Sequence, residues 1–375
     1  MGDHRPSTAS AVPRAHTVPA WLEPIVLAEG PFVSVSLDST SATDHPGELL
    51  ERRWRQIRRR LEQGGAHADL LDAVDDAVAV GHAPGDELVV IAGATGVLHT
   101  ARHPEPPAED TFLHGPVPCV VPLLRRVQSR PLHAVVLADR TGADVIVRPP
   151  RGDEHAVSVD GELEHITRSA PGGWSQRRFQ QRAEDTWAAN ARQVAHRIER
   201  LFDAVELRVV VLAGDVRAVQ LVRSTLPPRV LDVAVTVRGD RSMQSPLTNI
   251  RGAVDAVLDR VDAEDTAWLV EAVGSAAPHR RGVFGAGGTL GALAEGRVET
   301  LLVHHGAHEQ RTAWCGPLPH QVGHTREAVR RLGVEDPQAV PLADGAIRAA
   351  VACGAAMRLV PEASVAGDVA ALLRH

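Results

Sequence analysis

The passage best equipped for chemistry is Ala170-Pro-Gly-Gly-Trp-Ser-Gln-Arg-Arg-Phe-Gln180. Its adjacent glycines, Gly172 and Gly173, free the backbone for conformations closed to other residues and let bare amides approach a partner. Ser175 is of the type that caps a helix N-terminus. Arg177, Arg178 and Arg182 fall in the first turns of the helix that follows, where the positive end of the dipole disfavours cations. Cations in that position suit an external anion such as a nucleic-acid phosphate backbone. The plain alternative is a solvated surface loop with scattered arginines.

Other clusters compete less well. The segment Glu48–Gln63 carries Arg52, Arg53, Arg55, Arg58, Arg59 and Arg60 around one apolar stripe. Among them Arg52, Arg55 and Arg59 form a secondary basic patch suited to phosphate, set against a solvated charged face interleaved with Glu51 and Glu62. His304, His305, His308, Cys315, His320 and His324 crowd a short span, and histidines four apart can share a helix face for zinc. However, His304 ends a strand pattern, Pro317 and Pro319 interrupt the span, and histidine is common throughout, so no metal is expected. Asp38, Asp44, Asp72, Asp75 and Asp76 show no ligand spacing. Gly285–Gly288 lacks the Lys-Ser/Thr of a P-loop. No cofactor is expected either.

These residues need elements to hold them. Phe32–Leu37 alternates apolar and polar residues and reads as a strand. Leu50, Trp54, Ile57 and Leu61 give Glu48–Gln63 helical spacing, a second helix covers Ala68–Val80, and Leu88–Gly93 returns as a strand. His103–Asp110 reads as a loop, and Gln128-Ser-Arg-Pro131 as a linker. Ala134–Ala138 and Ala143–Val147 flank a hairpin-sized turn at Asp139–Gly142. After the run His155–Ile166, the long helix through Phe202 repeats Phe179, Ala183, Trp187, Ala191, Val194, Ile198 and Leu201 at spacings of three and four. Strands are expected at Leu207–Ala213 and Val230–Val237, with a helix around Val216–Ser224 between them. Ile250–Val261, Ala267–Ala276 and Thr289–Glu295 read as helices, with strands at Thr300–His304 and Ala356–Val360. Gly285–Gly288 reads as punctuation. The class is α/β, divided as 1–130, 131–244 and 245–375.

Composition bounds the rest. The 375 residues are 44% hydrophobic and 23% charged, ordinary values for a globular chain. Met1–Ser10 is polar with no apolar run after it, and residues 1–19 read as a loose leader rather than a signal peptide. No stretch is long and apolar enough for a membrane span. Cys119, Cys315 and Cys353 are odd in number and far apart, which points to a reducing, cytoplasmic setting. Every basic residue other than histidine is arginine: the chain has no lysine, and its formal net charge is −7. A global basic field is therefore absent, and any RNA contact must be local.

The run Gly172-Gly173-Trp174-Ser175-Gln176-Arg177-Arg178-Phe179 resembles the Gly-Gly-Gln-Ser-x-x-Arg-Phe loop of eukaryotic and archaeal class 1 release factors. Val211-Leu-Ala-Gly-Asp215 resembles the family's strand and turn after the long helix. Gly282–Val303, with Phe284-Gly285, Thr289-Leu290 and the apolar Leu301–Val303, resembles its third-domain signature, and Gly367–Arg374 its terminal stretch. The resemblance covers about residue 131 to the end and points to the bacterial branch that includes Balon-like and actinobacterial proteins. It implies a three-domain architecture, with an RNase H-like middle domain and a C-terminal α/β/α domain like kink-turn-binding proteins.

The same resemblance implies a factor for the ribosomal A site of idle or stalled ribosomes, in hibernation or rescue. Its expected partners are rRNA, the P-site tRNA and a translational GTPase of the EF-Tu type, with neither membrane nor DNA. Two departures qualify this. Trp174 stands where the family has its catalytic glutamine, and an indole is the wrong shape for organising water at an ester. The family's codon-reading motif contains lysine, so stop-codon decoding by that route is excluded. Against these, Gly173-Trp174-Ser175-Gln176 also fits the Gly-x-x-Gln arrangement of Vms1-like release factors. On that pattern Gln176 would be a displaced catalytic residue of a peptidyl-tRNA hydrolase; its plain alternative is an ordinary first-turn helix residue.

Overall fold

The computed structural model describes residues 18–375 except 41–45, 80–86, 104–105, 108, 130, 149–154, 161–172, 206, 240–245, 305–310, 362–364, 366 and 375; for 46, 129, 155–160, 173–184 and 246–248 it describes the backbone alone. The chain divides into two compact units. One holds 126–265; the other joins 14–125 to 266–375.

In the first unit, β5 (His133–Ala138), β6 (Gly142–Arg148), β7 (His155–Asp160), β8 (Val209–Gly214) and β9 (Ala234–Thr236) form a sheet in the order β7-β6-β5-β8-β9. β5 and β8 run parallel, while β6 is antiparallel to both of its neighbours. The hairpin at Asp139–Gly142 is as expected: the Asp139 carboxylate accepts from the Thr141 and Gly142 amides at 2.7 and 3.0 Å, an arrangement that turns the chain locally. One face of the sheet is covered by α5 (Gly173–Ala204) and α6 (Val216–Thr225), packing Val194, Ile198 and Val219 on Val136, Val210 and Leu212. The other face carries Ile250, Val254 and Leu258 of α8 (Pro246–Ala276) on Val135, Leu137 and Val211. Both faces are buried, so β5 and β8 read as continuous apolar runs, as parallel strands do.

Two expectations fail here. The strand expected over Val230–Val237 shrinks to β9, because Pro228–Leu231 forms a helical turn, α7, opening on the proline pair Pro227-Pro228. The linker expected at Gln128-Ser-Arg-Pro131 is in part helix: α4 (Val121–Ser129) runs through it, and Gln128 is buried. Polar composition misled there.

In the second unit, β1 (Phe32–Asp38), β2 (Glu87–Gly93), β3 (Gly96–His103) and β4 (Thr111–Gly115) form an antiparallel sheet in the order β3-β2-β1-β4. Val33, Val35 and Leu37 pack against Leu50, Trp54, Ile57 and Leu61 of α2 (Pro46–Gln63) and Leu71 and Val74 of α3 (Ala68–Ala79), as the stripe predicts. The alternating serines do not face water. The Ser34 hydroxyl accepts from the Cys119 amide at 3.0 Å, and the Ser36 hydroxyl donates to buried Glu87 at 2.5 Å. Alternation therefore marks two buried sets in this strand: Val33, Val35 and Leu37 in one core, and Phe32 in another core with the hydrogen-bonded serines beside it.

The rest of this unit is a sheet of β10 (Gly282–Phe284), β16 (Val369–Leu373), β11 (Val298–His304) and β15 (Ala356–Val360), in that order. Beside it lies a small sheet of β12 (Thr312–Cys315), β13 (Val322–Gly323) and β14 (Gln338–Pro341). α9 (Gly285–Ala294), α10 (Arg326–Arg330) and α11 (Leu342–Ala352) complete it. One core unites residues distant in sequence, including Leu22, Phe32 and Leu124 with Leu301, Ile347 and Met357. Two expected helices, Ile250–Val261 and Ala267–Ala276, are a single α8, because the polar Asp262–Asp265 between them contains no breaker. Gly285–Gly288 does not punctuate; it opens α9. Gly282 is required by contact: a Cβ there would stand 2.1 Å from the Val273 carbonyl oxygen.

Candidate functional site

α5 is a 32-residue helix, and its C-terminal half explains its stability. Ala191, Val194, Ala195 and Ile198 are buried along one stripe, while Arg192 and Gln193 point to solvent. The N-terminal half carries the candidate residues. Gly172 lies outside the described residues; Gly173, Trp174, Ser175 and Gln176 are the first four residues of the helix. Ser175 is therefore not the cap, since a cap has non-helical backbone and the helix is already formed two residues earlier. The first amides of a helix have no partner within it, so the backbone at Gly173–Gln176 offers donors and partial positive charge. Arg177, Arg178 and Arg182 follow within the next two turns. Arg178 and Arg182, four apart, share a helical face.

Roughly 21 Å along the axis from Gly173, at 1.5 Å per residue, the helix meets an anchor that sequence reasoning misses. Trp187, expected in the core, is only half-buried. The Arg140 guanidinium lies 4.9 Å from the centre of its indole and that of Arg217 lies 5.2 Å away, both within cation–π range. Arg140 sits in the β5–β6 turn, where Asn190 of α5 donates to its carbonyl at 3.2 Å. Its guanidinium also pairs with Asp215 at 3.4 Å. Asp215 in turn caps α6, accepting from the Arg217 and Ala218 amides at 2.9 and 3.0 Å. Gly214 makes this approach possible: its φ is +124°, and a Cβ would lie 1.9 Å from the Ala138 carbonyl oxygen. The Val211-Leu-Ala-Gly-Asp215 motif thus has a structural account, a close strand approach followed by a helix cap. The cavity beside Trp187 measures about 10 Å³, room for at most about one water. The cluster is an anchor for α5, and the sequence signal for it was the turn Asp139–Gly142 that contains Arg140.

The arginines of α2 separate by role. Arg53 bridges Asp38 and Asp110, at 3.0 Å each. Arg58 pairs with Asp75, Asp72 and Glu62 at 2.5, 2.9 and 3.1 Å. Arg60 lies 5.2 Å from the centre of the Phe112 ring. Arg52, Arg55 and Arg59 remain exposed, and their spacing of three and four aligns them on one face. The candidate patch is thus the exposed part of the arginine helix, tied within the described residues only by the Arg55 Nε donating to the Glu51 carbonyl one turn back at 3.3 Å.

The histidine span assembles no metal site among the described residues. His305 and His308 lie outside them. His304 is buried at the end of β11, with Nδ1 3.6 Å from the Asp368 carboxylate, and Arg311 pairs with the same carboxylate at 2.6 Å. Among the described residues no helix is long and apolar enough to cross a membrane.

Residues 132–278, nearly the whole first unit and the helix leading out of it, match the bacterial archaeo-eukaryotic release factor family 2. An uncharacterized Mycobacterium tuberculosis protein, Rv2629 in strain H37Rv and MT2704 in strain CDC 1551, is 31% identical over 378 residues, covering 95% of both chains. The chain belongs to the bacterial branch of the archaeo-eukaryotic release factor superfamily. Solved structures similar to this release-factor homologue include the archaeal translation termination factor aRF1, at 17% identity and a TM-score of 0.24 over 94% of this chain and 96% of that one. Archaeoglobus fulgidus Pelota follows at 14% and 0.36 over 94% and 90%, and archaeal Pelota in a ribosome-bound model with ABCE1 at 13% and 0.41 over 96% and 95%. Membership rests on the sequence matches.

Proposed function

We propose that this release-factor homologue binds the A site of idle or stalled ribosomes as a hibernation or rescue factor, without decoding stop codons. The observation that carries the reading is the position of Trp174. Within a family built around a glutamine at this point of the loop, the chain has an indole at the start of a long, anchored helix. An aromatic side chain there stacks on an RNA base or the tRNA end, worth about 1–3 kcal/mol per base, and does not place a hydrolytic water. Arg177, Arg178 and Arg182, with Arg52, Arg55 and Arg59 as a second contact, supply phosphate ligands to rRNA. P-site tRNA lies within reach of the loop, and a translational GTPase of EF-Tu type delivers the factor. The division into 1–130, 131–244 and 245–375 is the corresponding functional partition, the middle part being RNase H-like and the last like kink-turn-binding proteins.

One observation favours a second reading, peptidyl-tRNA hydrolysis by Gln176. That residue lies in the first turn of α5, beside helix amides able to stabilise a developing oxyanion. The test is peptide release from ribosomes and large subunits loaded with peptidyl-tRNA, alongside co-sedimentation at rising salt. The binding reading expects negligible release, salt-sensitive binding and loss of binding in Trp174→Ala and in the double variant Arg177→Glu/Arg178→Glu. Robust release by the wild-type chain that drops about 100–1000-fold in Gln176→Ala would replace it with the hydrolase. Unchanged binding by a folded double-Glu chain would remove the start of α5 from the interface.

A further inference from the structure

A cleft of about 440 Å³ opens in the second unit, between the hydrogen-bonded face of the β1–β4 sheet and the N-terminus of α11. That volume lies within the range of small-molecule sites. Its walls are largely apolar, with Phe112 and Leu113 of β4 on one side and Leu123 of α4 and Pro341 before α11 among the others. Its polar lining combines the hydroxyls of Ser34, Ser36 and Thr111, the Cys119 thiol and three carboxyl groups. Glu109, Asp110 and Asp344 contribute the carboxyl groups; Asp110 is already paired with Arg53 at 3.0 Å, and among the described residues no arginine or histidine lines the cleft itself.

Asp344 is the deepest of these, 1% exposed. It sits in the first turn of α11, where the helix dipole stabilises a negative charge. Its carboxylate accepts from the Val120 amide at 2.9 Å. Burial and the neighbouring Asp344 charge hold the Cys119 thiol well above its ordinary pKa, so it is a neutral donor and not a nucleophile at physiological pH. Phosphates, nucleotides and carboxylates are disfavoured by Glu109 and Asp344, since an anion entering this cleft would meet their carboxylates in a partly desolvated setting. The remaining chemistry is an apolar body bearing a cation. Carboxylates can pair with the cation, while Phe112, whose ring already carries Arg60 at 5.2 Å, and Leu113 supply apolar wall for its body.

We propose that this cleft binds a small organic amine, a hydrophobic group carrying one protonated nitrogen, with Asp344 and Glu109 as its counter-charges. The site is chemically opposite to the exposed arginines of α2. The experiment uses the full chain and three probes of similar shape: 2-phenylethylamine, 2-phenylethanol and phenylacetate. Isothermal titration calorimetry and ligand-observed NMR at pH 7 should show the amine bound at least tenfold more tightly than the alcohol, with phenylacetate weakest. Glu109→Gln, at an exposed position, and Asp344→Asn should each erase about tenfold of the preference for amine over alcohol, with circular dichroism unchanged. Should Asp344→Asn fail to fold, the wild-type ranking and Glu109→Gln still decide the matter. Equal affinity for amine and phenylacetate, or no binding of any probe at 10-fold molar excess over millimolar protein, overturns the proposal.

Discussion

Ile198→Ala tests whether the C-terminal half of α5 is the core element that its periodicity and packing indicate. Ile198 is fully buried and packs in the cluster with Val136, Val210 and Leu212. The substitution removes three carbons from that interface. At about 0.8 kcal/mol per buried methylene, transfer alone costs about 2.4 kcal/mol. A residual cavity adds about 24 cal/mol for each Å³ that does not collapse, so an unfilled 40 Å³ brings the total to about 3.4 kcal/mol. Neighbouring Gln193, exposed on the same helix, gives a control whose alanine variant should stay within about 0.5 kcal/mol. Because the chain has two compact units, one fluorescence transition would blend them. Native-state hydrogen exchange reads the relevant unit directly, at the slowest amides of Val209–Gly214. Those amides should lose about 3 kcal/mol of protection in Ile198→Ala and almost none in Gln193→Ala. Equal protection in both variants would mean that the stripe of α5 is not packed on the sheet, and the anchored-helix account of the candidate site would fall with it.

Acid stability offers a second measurement. Burial alone would raise the Asp38 pKa, but hydrogen bonds from the Thr40 hydroxyl and amide, with the nearby Arg53 charge, outweigh it and set the value below the ordinary carboxylate range. A carboxylate depressed in the folded state contributes stability above its unfolded pKa of about 3.9, and that contribution is lost as pH falls through the folded value. Thr40→Ala should therefore destabilise the chain at pH 7 and narrow the gap to wild type in urea melts as pH drops below about 3.9; a gap that widens in acid would contradict this sign. Gly214→Ala should be the most damaging single methyl in the first unit, costing more than about 3 kcal/mol or abolishing soluble expression, because the new Cβ meets the Ala138 carbonyl oxygen at 1.9 Å in a left-handed backbone. Wild-type-like melting of that variant would refute the close approach of β5 and β8.

Local pattern and composition were enough to determine much of this protein. The stripes of α2 and α5 were visible because helical burial repeats every three to four residues, and β5, β8 and β11 because buried strands are continuous apolar runs. The family was legible in the loop, the Gly214-Asp215 turn and the Gly282–Val303 stretch, each of which depends on nearest neighbours in sequence. What neighbours do not determine was left to tertiary structure. Two helical patterns proved to be one helix because polar residues do not break a helix once both ends are packed, and alternating serines in β1 were buried because distant groups, Glu87 and the Cys119 amide, satisfy them. The separation of Arg53 and Arg58 from exposed Arg52, Arg55 and Arg59 depends on Asp38, Asp72, Asp75 and Asp110, whose proximity only the folded chain creates. Trp187 followed the stripe in sequence yet sits half-buried against two arginines, and the amine-type cleft joins β4 to α11 across more than 200 residues of chain. Periodicity records which side of an element is apolar; which charged groups meet there is set by long-range closure of the chain, and no local pattern encodes it.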